Sequence, residues 1–399
     1  MRTCDYNENP HQWEAPMARI VKNQTSDLLR DGFARRMADK YLNMLLFEDD
    51  NDMFDPAYRS WAHRHGFCVE SACAFGLNED NIDDYLPDYD YFRVWPLNSW
   101  QRIWINDKLT LKYALAGTEY DRFLPEYYYY NDGGKLVPLL EAGGRKGMDG
   151  FLEVLREKGE FACKPCNGWR AMGFNKLGYK DGIYLVDNKP ATEEDVRRFV
   201  AEHPNDVYTE FFHPGMGMEK ISPVIHTLRL ITLNESGADP VIAGGYMRFA
   251  TGTNNDDSKA NFEEPWRADV YMYHTNFDHE TGRFFDGRIV YGNKVVPSEV
   301  NPDTGASGSG IWPNWDETRD MVLGLCERLG PVEYMGFDLC VTPDGPKLIE
   351  INSHPGPKYL QVYRPFMKDP LLHDYFQRKM DAIAALDADG IRRRNAISH

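Results

Sequence analysis

The stretch of the chain that decides the fold is EYMGFDLCVTPDGPKLIEINSHPG, residues 333–356. Two runs with the alternating pattern of strands flank Pro343-Asp344-Gly345, and these residue types are common in tight turns. The pattern predicts a β-hairpin with those residues as its loop, so that Thr342 lies opposite Pro346. This register fixes which side chains of the two strands meet.

The predicted register brings two acids and one amide together on one face of the hairpin. Asp338 lies directly across from Glu350, and Asn352 lies opposite Gly336. Directly opposed Cβ atoms are about 5 Å apart, so two carboxylates repel each other unless a positive charge lies between them. Two carboxylates and one amide offer oxygen ligands, which suit Mg²⁺. The alternative is that both acids simply face solvent.

The other face of the same hairpin is predicted to lie in the core, and it carries Phe337, Leu339, Val341, Ile349 and Ile351. The turn formed by residues 353–356 follows the acidic face directly, which favours a framed site over an open surface. Within that turn, His354 either assists proton transfer or only shapes the corner.

Length and composition describe a globular protein of several units. The chain has 399 residues, of which 42% are hydrophobic and 13% aromatic. At about 100 to 200 residues per domain, this predicts two or three units and excludes a mostly disordered chain. The longest apolar run, residues 41–47, is far below the ~18 residues of a membrane helix, and the first residues lack a signal-peptide layout. We therefore expect a cytoplasmic protein with no membrane partner.

The charge balance is acidic. Forty-five Lys and Arg against 62 Asp and Glu give a net charge of −17. Such a surface repels nucleic acid and anionic membranes unless one face is locally basic, and the sequence reveals no such face. Nucleic acid is therefore not an expected partner.

Cysteines and aromatic runs are assigned to the core. Seven cysteines scattered over the chain fit reduced thiols better than a disulfide framework. Cys163-x-x-Cys166 lies in a predicted strand and is interpreted as two small buried side chains rather than half of a zinc site. The run Tyr127–Tyr130 is interpreted as a strand that faces the core.

The chain divides by local pattern into three parts. Residues 1–105 are acidic and aromatic and are predicted to be mainly helical, with a substrate-binding role as one option. Residues 106–212 and 213–399 alternate short strands with helices, which is an α+β pattern. The residues from about Leu371 to Leu386 are predicted to form a closing amphipathic helix.

Several motifs resemble those of the ATP-grasp superfamily, in which an acid and a later Glu-x-Asn on neighbouring strands hold Mg²⁺ against ATP. Asp338 and Glu350-Ile351-Asn352 match that pattern, and IHTLRLITL, residues 225–233, resembles the strand whose arginine faces the transferred phosphate. In detail, the chain is most similar to the sugar-transfer-associated branch. The resemblance covers about residues 106–361.

The resemblance implies an ATP-grasp fold, in which two α+β lobes sandwich ATP and one or two Mg²⁺ ions. Its implied metal ligands are Asp338, Glu350 and Asn352. Its implied nucleotide-binding residues are Lys108, Lys164, Glu210, Phe211 and Phe212, and its implied catalytic residues are Arg229 and Lys164. The sequence departs from the pattern of this branch at two positions toward the acceptor side. His226 precedes the TLR motif where the branch commonly has Asn, and Phe262 follows Asn261 where a Gly-Gly pair is common.

The activity that the resemblance implies is carboxylate–amine ligation. ATP would activate a carboxylate as an acyl phosphate, an amine would attack it, and ADP and phosphate would be released. The partners are then two small molecules, in the biosynthesis of a cell-surface polysaccharide or a peptide-like compound. The alternatives are a kinase that phosphorylates a small-molecule hydroxyl and a nucleotide-sensing protein without turnover.

Overall fold

The computed structural model describes residues 24–167, 173–252, 255–258 and 270–398. Predictions that concern residues 1–23 or Asn261 lie outside this described part. None of the helices it contains is both long and apolar enough to cross a lipid bilayer.

The described residues before Tyr127 form helices and no strand, as predicted for the N-terminal part. Their apolar side chains build a core of their own, which includes Leu28, Phe33, Tyr41 and Tyr89. The α-helices are α1 (Thr25–Arg30), α2 (Arg35–Asp49), α3 (Pro56–Arg64), α4 (Val69–Phe75), α5 (Asp88–Arg93), α6 (Ile103–Asn106) and α7 (Lys108–Leu115).

A seven-stranded antiparallel sheet follows, with the order β2-β1-β7-β3-β4-β5-β6. Two helices, α8 (Gly147–Lys158) and α9 (Glu193–Glu202), pack against it through Phe151 and Phe199. Thr192 and Asp195 form a capping box at the start of α9. The strands are β1 (Tyr127–Asp132), β2 (Lys135–Pro138), β3 (Glu160–Pro165), β4 (Asn175–Lys180), β5 (Ile183–Val186), β6 (Lys189–Ala191) and β7 (Asp206–Glu210).

A second antiparallel sheet of eight strands has the order β12-β11-β10-β9-β8-β14-β15, and β13 pairs with β11. Helix α10 (Trp315–Arg328) covers one face and buries Met321 and Leu325 in the core of that sheet. The strands are β8 (Thr227–Leu233), β9 (Val241–Phe249), β10 (Met272–Asp278), β11 (Arg283–Val290), β12 (Val295–Pro297), β13 (Gly310–Ile311), β14 (Tyr334–Thr342) and β15 (Gly345–Asn352).

The hairpin β14–β15 has the predicted pairing at the acids but not at the turn. Thr342 pairs with Gly345, whose φ of 109° favours glycine, so the loop is Pro343-Asp344 and not three residues. A bulge between Asp338 and Leu339 absorbs the difference, and beyond it Asp338 pairs with Glu350 as predicted.

The bulge also changes which side chains of β15 face the core. Leu348 pairs with Leu339 and is fully buried, whereas Ile349 is only partly buried. The assignment of Ile349 to the core face was therefore wrong, because strict alternation does not continue through a bulge. Ile351 lies in the core as predicted.

The C-terminal part contains the predicted closing helix, which is α12 (Pro370–Ala384). The short helix α11 (Lys358–Gln361) precedes it, and α13 (Ala388–Asn395) follows it. From α13, Arg394 donates through Nε to the backbone oxygen of Gly32 at 2.6 Å. The chain end thus closes onto the N-terminal helices.

Asn98 joins the helical part to the second sheet. Its Nδ2 donates to the backbone oxygens of Tyr334 at 2.6 Å and Ser353 at 2.9 Å, and its Oδ1 accepts from the backbone nitrogen of Glu333 at 2.8 Å. Because these backbone groups lie at the start of β14 and just after β15, the helical part is fixed beside the end of the acidic hairpin.

Candidate active site

The two opposed acids and the amide lie together on β14 and β15. Asn352 donates through Nδ2 to Glu350 Oε1 at 3.0 Å and to Asp338 Oδ2 at 3.3 Å. The amide therefore bridges two carboxylates that repel each other across the strand pair. The alternative in which both acids simply face solvent does not hold, since Asp338 is buried.

The positive charge beside Asp338 belongs to Arg229 on the next strand, β8. The two residues pair across the strands, and Arg229 donates through Nε to Oδ1 at 2.5 Å and through Nη2 to Oδ2 at 2.7 Å. The side chains are 14% and 7% exposed. The acid that Arg229 meets is therefore the buried Asp338 and not a surface acid. We call Arg229, Asp338, Glu350 and Asn352 the charged floor.

The two carboxyl groups of the charged floor have opposite pKa shifts. Burial raises the pKa of Asp338 above its usual range, and the neighbouring charge of Glu350 adds to this against the effect of Arg229. Burial acts in the same direction on Glu350, but the charge of Lys108 and the hydrogen bond from Asn352 lower its pKa below the usual range. Glu350 is therefore the carboxylate that stays ionised most readily.

Two lysines from other elements face Glu350. Lys164 lies on β3, and burial together with the charge of Lys108 lowers the pKa of Lys164 to about 8. Lys108 begins α7, and its Nζ lies 3.5 Å from the backbone oxygen of Cys166. Lys108 and Lys164 are 56 positions apart in the sequence. The structure places both of them beside Glu350 of the hairpin.

The segment after β7 connects the first sheet to the hairpin. Glu210 accepts through Oε2 from the backbone nitrogen of Glu126 at 3.1 Å. Phe211 lies under Lys176, and Phe212 lies 5.9 Å from Lys347 Nζ. Farther on, a Cβ at Gly215 would come within 2.2 Å of the backbone nitrogen of Pro343, so only glycine permits this contact with the hairpin turn.

Lys176 has a role that the sequence did not indicate. From the sequence, Lys176 and Arg170 could each contact a phosphate or face solvent. In the structure Lys176 is 4% exposed, and its Nζ lies 2.7 Å from Glu160 and 2.8 Å from Asp257. Since Asp257 precedes β10 of the second sheet, this ion pair links the two sheets. Arg170 lies outside the described residues.

A cavity of about 420 Å³ opens beside Glu350 and Asn352. Its lining includes residues of the N-terminal helical part, and four cations among them form what we call the cationic wall: Arg36, Lys40, Arg102 and Lys108. Arg36, Lys40 and Arg102 were not singled out from the sequence, because no sequence pattern indicates that α2 and the turn before α6 pack beside the same cavity.

Two histidines near the site are neutral at ordinary pH. Burial lowers the pKa of His226 to about 3, and its Nε2 accepts a hydrogen bond from the backbone nitrogen of Val341 at 3.1 Å. His354 stacks on Tyr91 with ring centroids 4.1 Å apart, and burial together with the charge of Lys40 lowers its pKa to about 3. The geometry gives His226 a structural role.

Both cysteines of the Cys163-x-x-Cys166 motif and three of the four tyrosines in the run 127–130 are buried, as predicted. Cys163 and Cys166 are buried and free, and Cys166 Sγ donates to Asp107 Oδ2 at 3.4 Å. Tyr127, Tyr128 and Tyr129 are buried on β1. Across the described part of the chain, no group of three His, Cys, Asp or Glu side chains is arranged to hold a metal ion.

Comparison with known families confirms the resemblance seen in the sequence. Residues 204–366 match the model of the family described as sugar-transfer associated ATP-grasp, which covers fewer than half of the 399 residues. The match contains the whole charged floor. The comparison with curated proteins found no match.

Among solved structures, the chain is similar to a D-alanine–D-alanine ligase from Bacillus anthracis, with a TM-score of 0.38 and 14% identity over 72% of this chain and 71% of that one. A biotin carboxylase from Campylobacter jejuni gives a TM-score of 0.39 and 10% identity over 71% of this chain and 48% of that one. The ATP-grasp ligase PsnB gives a TM-score of 0.32 and 13% identity over 72% and 63%. The structure has the α+β class predicted from the sequence, with an added helical N-terminal part, and the family match over residues 204–366 agrees with the predicted ATP-grasp fold.

Proposed function

Because residues 204–366 match the sugar-transfer associated ATP-grasp family, we propose that this protein is an ATP-dependent carboxylate–amine ligase. The observation that carries the proposal is the convergence of the charged floor with two lysines from other elements. Anionic phosphates need cations and a metal beside them, and this is where the described residues supply both a cation cluster and oxygen donors. The product would be part of a cell-surface polysaccharide or a peptide-like compound.

The nucleotide-binding roles are assigned as follows. Lys164 and Lys108 contact the phosphates as point charges, which suits two ammonium groups already held near Glu350. The segment Glu210–Phe212 lies between the sheets and contacts adenine and ribose. In the described structure Glu210 accepts from the Glu126 backbone through one oxygen, which leaves its second oxygen for a ribose hydroxyl.

The donor set on the hairpin fits Mg²⁺. Mg²⁺ prefers one or two carboxylates and fills its other positions with water and phosphate oxygens, and the hairpin offers the carboxylates of Asp338 and Glu350 with the amide of Asn352. Asn352 would turn its amide so that Oδ1 faces the ion. When bound, Mg²⁺ neutralises the phosphates and aligns the γ-phosphoryl group.

The proposed reaction has two steps, and in each step one bond forms as another breaks. A substrate carboxylate oxygen forms a bond to the γ-phosphorus while the bond from that phosphorus to ADP breaks. An amine nitrogen then forms a bond to the acyl carbon, phosphate leaves, and the amine loses a proton. Arg229 uses two of its five N–H donors on Asp338, and we assign the others to the transferred phosphoryl group.

The test is an ADP-release screen of the purified protein with Mg·ATP and pooled carboxylates and amines. We expect sustained ADP release only in pools that contain both an acceptable acid and an acceptable amine, with an amide product found by mass spectrometry. A stable phosphorylated product formed without any amine would show a kinase instead. ATP binding without ADP release in any pool would favour a nucleotide sensor.

A further inference from the structure

Lys176 lies on the face of the first sheet that is turned away from its helices. Cys163 of β3 packs in the core with α8 and α9, so its neighbours Ala162 and Lys164 point to the opposite face. Lys176 on β4 pairs with Ala162 and therefore shares that face. Since Lys164 lies near Glu350 of the second sheet, this face borders the cleft between the two sheets.

An ion pair joins this face to the second sheet. Lys176 Nζ lies 2.8 Å from Asp257 Oδ2, and Asp257 belongs to the described residues 255–258, which precede β10. The other oxygen of Asp257, Oδ1, accepts from Asn188 Nδ2 at 2.6 Å. Asn188 lies in the turn between β5 and β6, so both oxygens of Asp257 are held by the first sheet. We call Lys176 and Asp257 the cross-sheet pair.

The cross-sheet pair also contacts the segment that we assign to adenine and ribose. Lys176 Nζ lies 4.4 Å from the centre of the Phe211 ring, a distance at which an ammonium group is attracted to an aromatic face. Glu160 holds Lys176 through Oε1 at 2.7 Å and His213 through Oε2 at 2.5 Å. The rings of His213 and Phe211 are 5.0 Å apart. Phe211 thus packs against two side chains that one carboxylate holds.

The two lysines on this face of the sheet differ in the state of their charge. Burial lowers the pKa of Lys176, but the hydrogen bonds to Asp257 and Glu160 outweigh this effect and raise the pKa above that of a free lysine. Burial lowers the pKa of Lys164 to about 8. The charge of Lys176 is bound by protein carboxylates, which suits a positioning role better than a phosphate contact.

We propose that Lys176 is a positioning residue for the nucleotide, which acts by holding Asp257 before β10 and Phe211 of the nucleotide segment in one arrangement. The inference rests on the proposed function and adds to it the contact that sets the arrangement of the cleft. When only a fraction of the molecules has the binding arrangement, the apparent affinity for a ligand falls by that fraction. Loss of the cross-sheet pair therefore weakens nucleotide binding.

A second buried lysine provides a matched control. Lys112 of α7 is 3% exposed, and its Nζ lies 2.8 Å from Asp121 and 2.7 Å from Glu141. The exposed fractions of the two aspartates are nearly equal, 31% for Asp257 and 29% for Asp121. Lys112 and Asp121 are nine positions apart and both precede the first sheet, so their pair does not connect the two sheets.

The test compares Asp257→Asn with Asp121→Asn by calorimetric titration of AMP-PNP with Mg²⁺ and by urea denaturation. Each variant keeps the size of the side chain and leaves the lysine its second carboxylate. We expect Asp257→Asn to weaken AMP-PNP binding about three- to tenfold, as for loss of one charge-assisted contact, and Asp121→Asn to leave it at the wild-type value. The urea midpoints should shift by similar small amounts, because both aspartates are partly exposed.

Asn188→Gly reaches the same contact from the other side of Asp257. The φ of Asn188 is 61°, and glycine keeps this left-handed backbone while it removes the amide that binds Asp257. We expect AMP-PNP binding to weaken less than in Asp257→Asn, because the ion pair remains. Unchanged AMP-PNP affinity in Asp257→Asn, or an equal loss in Asp121→Asn, would overturn the inference.

Binding by the wild-type protein separates this inference from the proposed function. AMP-PNP binding that is equally tight in the wild-type protein and in Asp257→Asn overturns the positioning role and leaves the ligase proposal standing. Weaker binding in Asp257→Asn, together with no ADP release by the wild-type protein in any pool of the screen, supports the positioning role and contradicts the ligase. Absence of AMP-PNP binding in the wild-type protein contradicts both.

Discussion

The charged floor and the cationic wall are assembled in different ways. On the charged floor, Arg229 pairs with Asp338 across neighbouring strands, and Asn352 donates to both Asp338 and Glu350. On the cationic wall, four positive side chains from the helical part line one cavity. The floor is held by pairing within one sheet, whereas the wall depends on how separate helices pack.

The largest expected effect concerns the stability of the charged floor. We expect Arg229→Met to lower the free energy of unfolding by about 3 to 5 kcal/mol, because it leaves Asp338 buried without its ionic partner. Urea denaturation followed by circular dichroism measures the change. Adding Asp338→Asn should recover part of the loss, since it removes the uncompensated charge.

A loss below about 1 kcal/mol in the single variant would contradict this account, because it would mean that the charges of the floor do not depend on one another.

The next effect concerns catalysis on the same floor. Glu350→Gln keeps the size of the side chain and removes its charge, and we expect turnover to fall about 10²-fold or more. ADP release is the measurement, and Asp344→Asn in the exposed turn of the same hairpin is the matched control with wild-type turnover. Wild-type turnover in Glu350→Gln would show that the reaction does not need the charge of Glu350 and would contradict the proposed mechanism.

A smaller effect concerns pH and the lysine that lies near the floor. The pKa of Lys164 is about 8, below that of a free lysine, so its charge is lost as the pH rises through 8. We expect ATP affinity to fall up to about tenfold between pH 7 and pH 9, because a neutral amine no longer attracts phosphate. Equilibrium binding of Mg·ATP at several pH values measures this.

In Lys164→Arg the guanidinium stays charged over this range, so the pH dependence should flatten. The same steep fall in that variant would show that another group is responsible.

The smallest effect is expected at an exposed ion pair far from the cavity. Arg197 and Glu193 lie one turn apart on α9 with 2.7 Å between charged atoms and remain 33% and 45% exposed. We expect Arg197→Ala to leave the urea midpoint unchanged within experimental error, because solvent screens such pairs. A shift of the urea midpoint as large as that in Arg229→Met would contradict this expectation, because it would mean that an exposed ion pair stabilises the protein as much as the buried pair of the charged floor.

Asp338, Glu350 and Asn352 of the charged floor were predictable from the sequence because they lie on one hairpin, whereas the pairing of Asp338 with Arg229, 109 positions away, was not predicted. One hairpin pattern placed Asp338 opposite Glu350, although the predicted loop was one residue too long and an unforeseen bulge compensated for it. Bulges depend on how the whole strand packs, and so the burial of Leu348 in place of Ile349 could not be predicted.

The cationic wall was not predictable, because Arg36, Lys40 and Arg102 meet only after several helices have packed together. The same holds for the link between Lys176 and Asp257, which lie 81 positions apart. A pattern in sequence can indicate a pairing within one hairpin, but it does not indicate which distant helix faces that hairpin.

The most direct test of the central claim is calorimetric titration of AMP-PNP into the wild-type protein and Glu350→Gln, with and without Mg²⁺. The account predicts saturable binding of one nucleotide per chain that requires Mg²⁺ and is weakened at least about tenfold in the variant. Absence of nucleotide binding, or binding that is equally tight without Mg²⁺ and in Glu350→Gln, would contradict it.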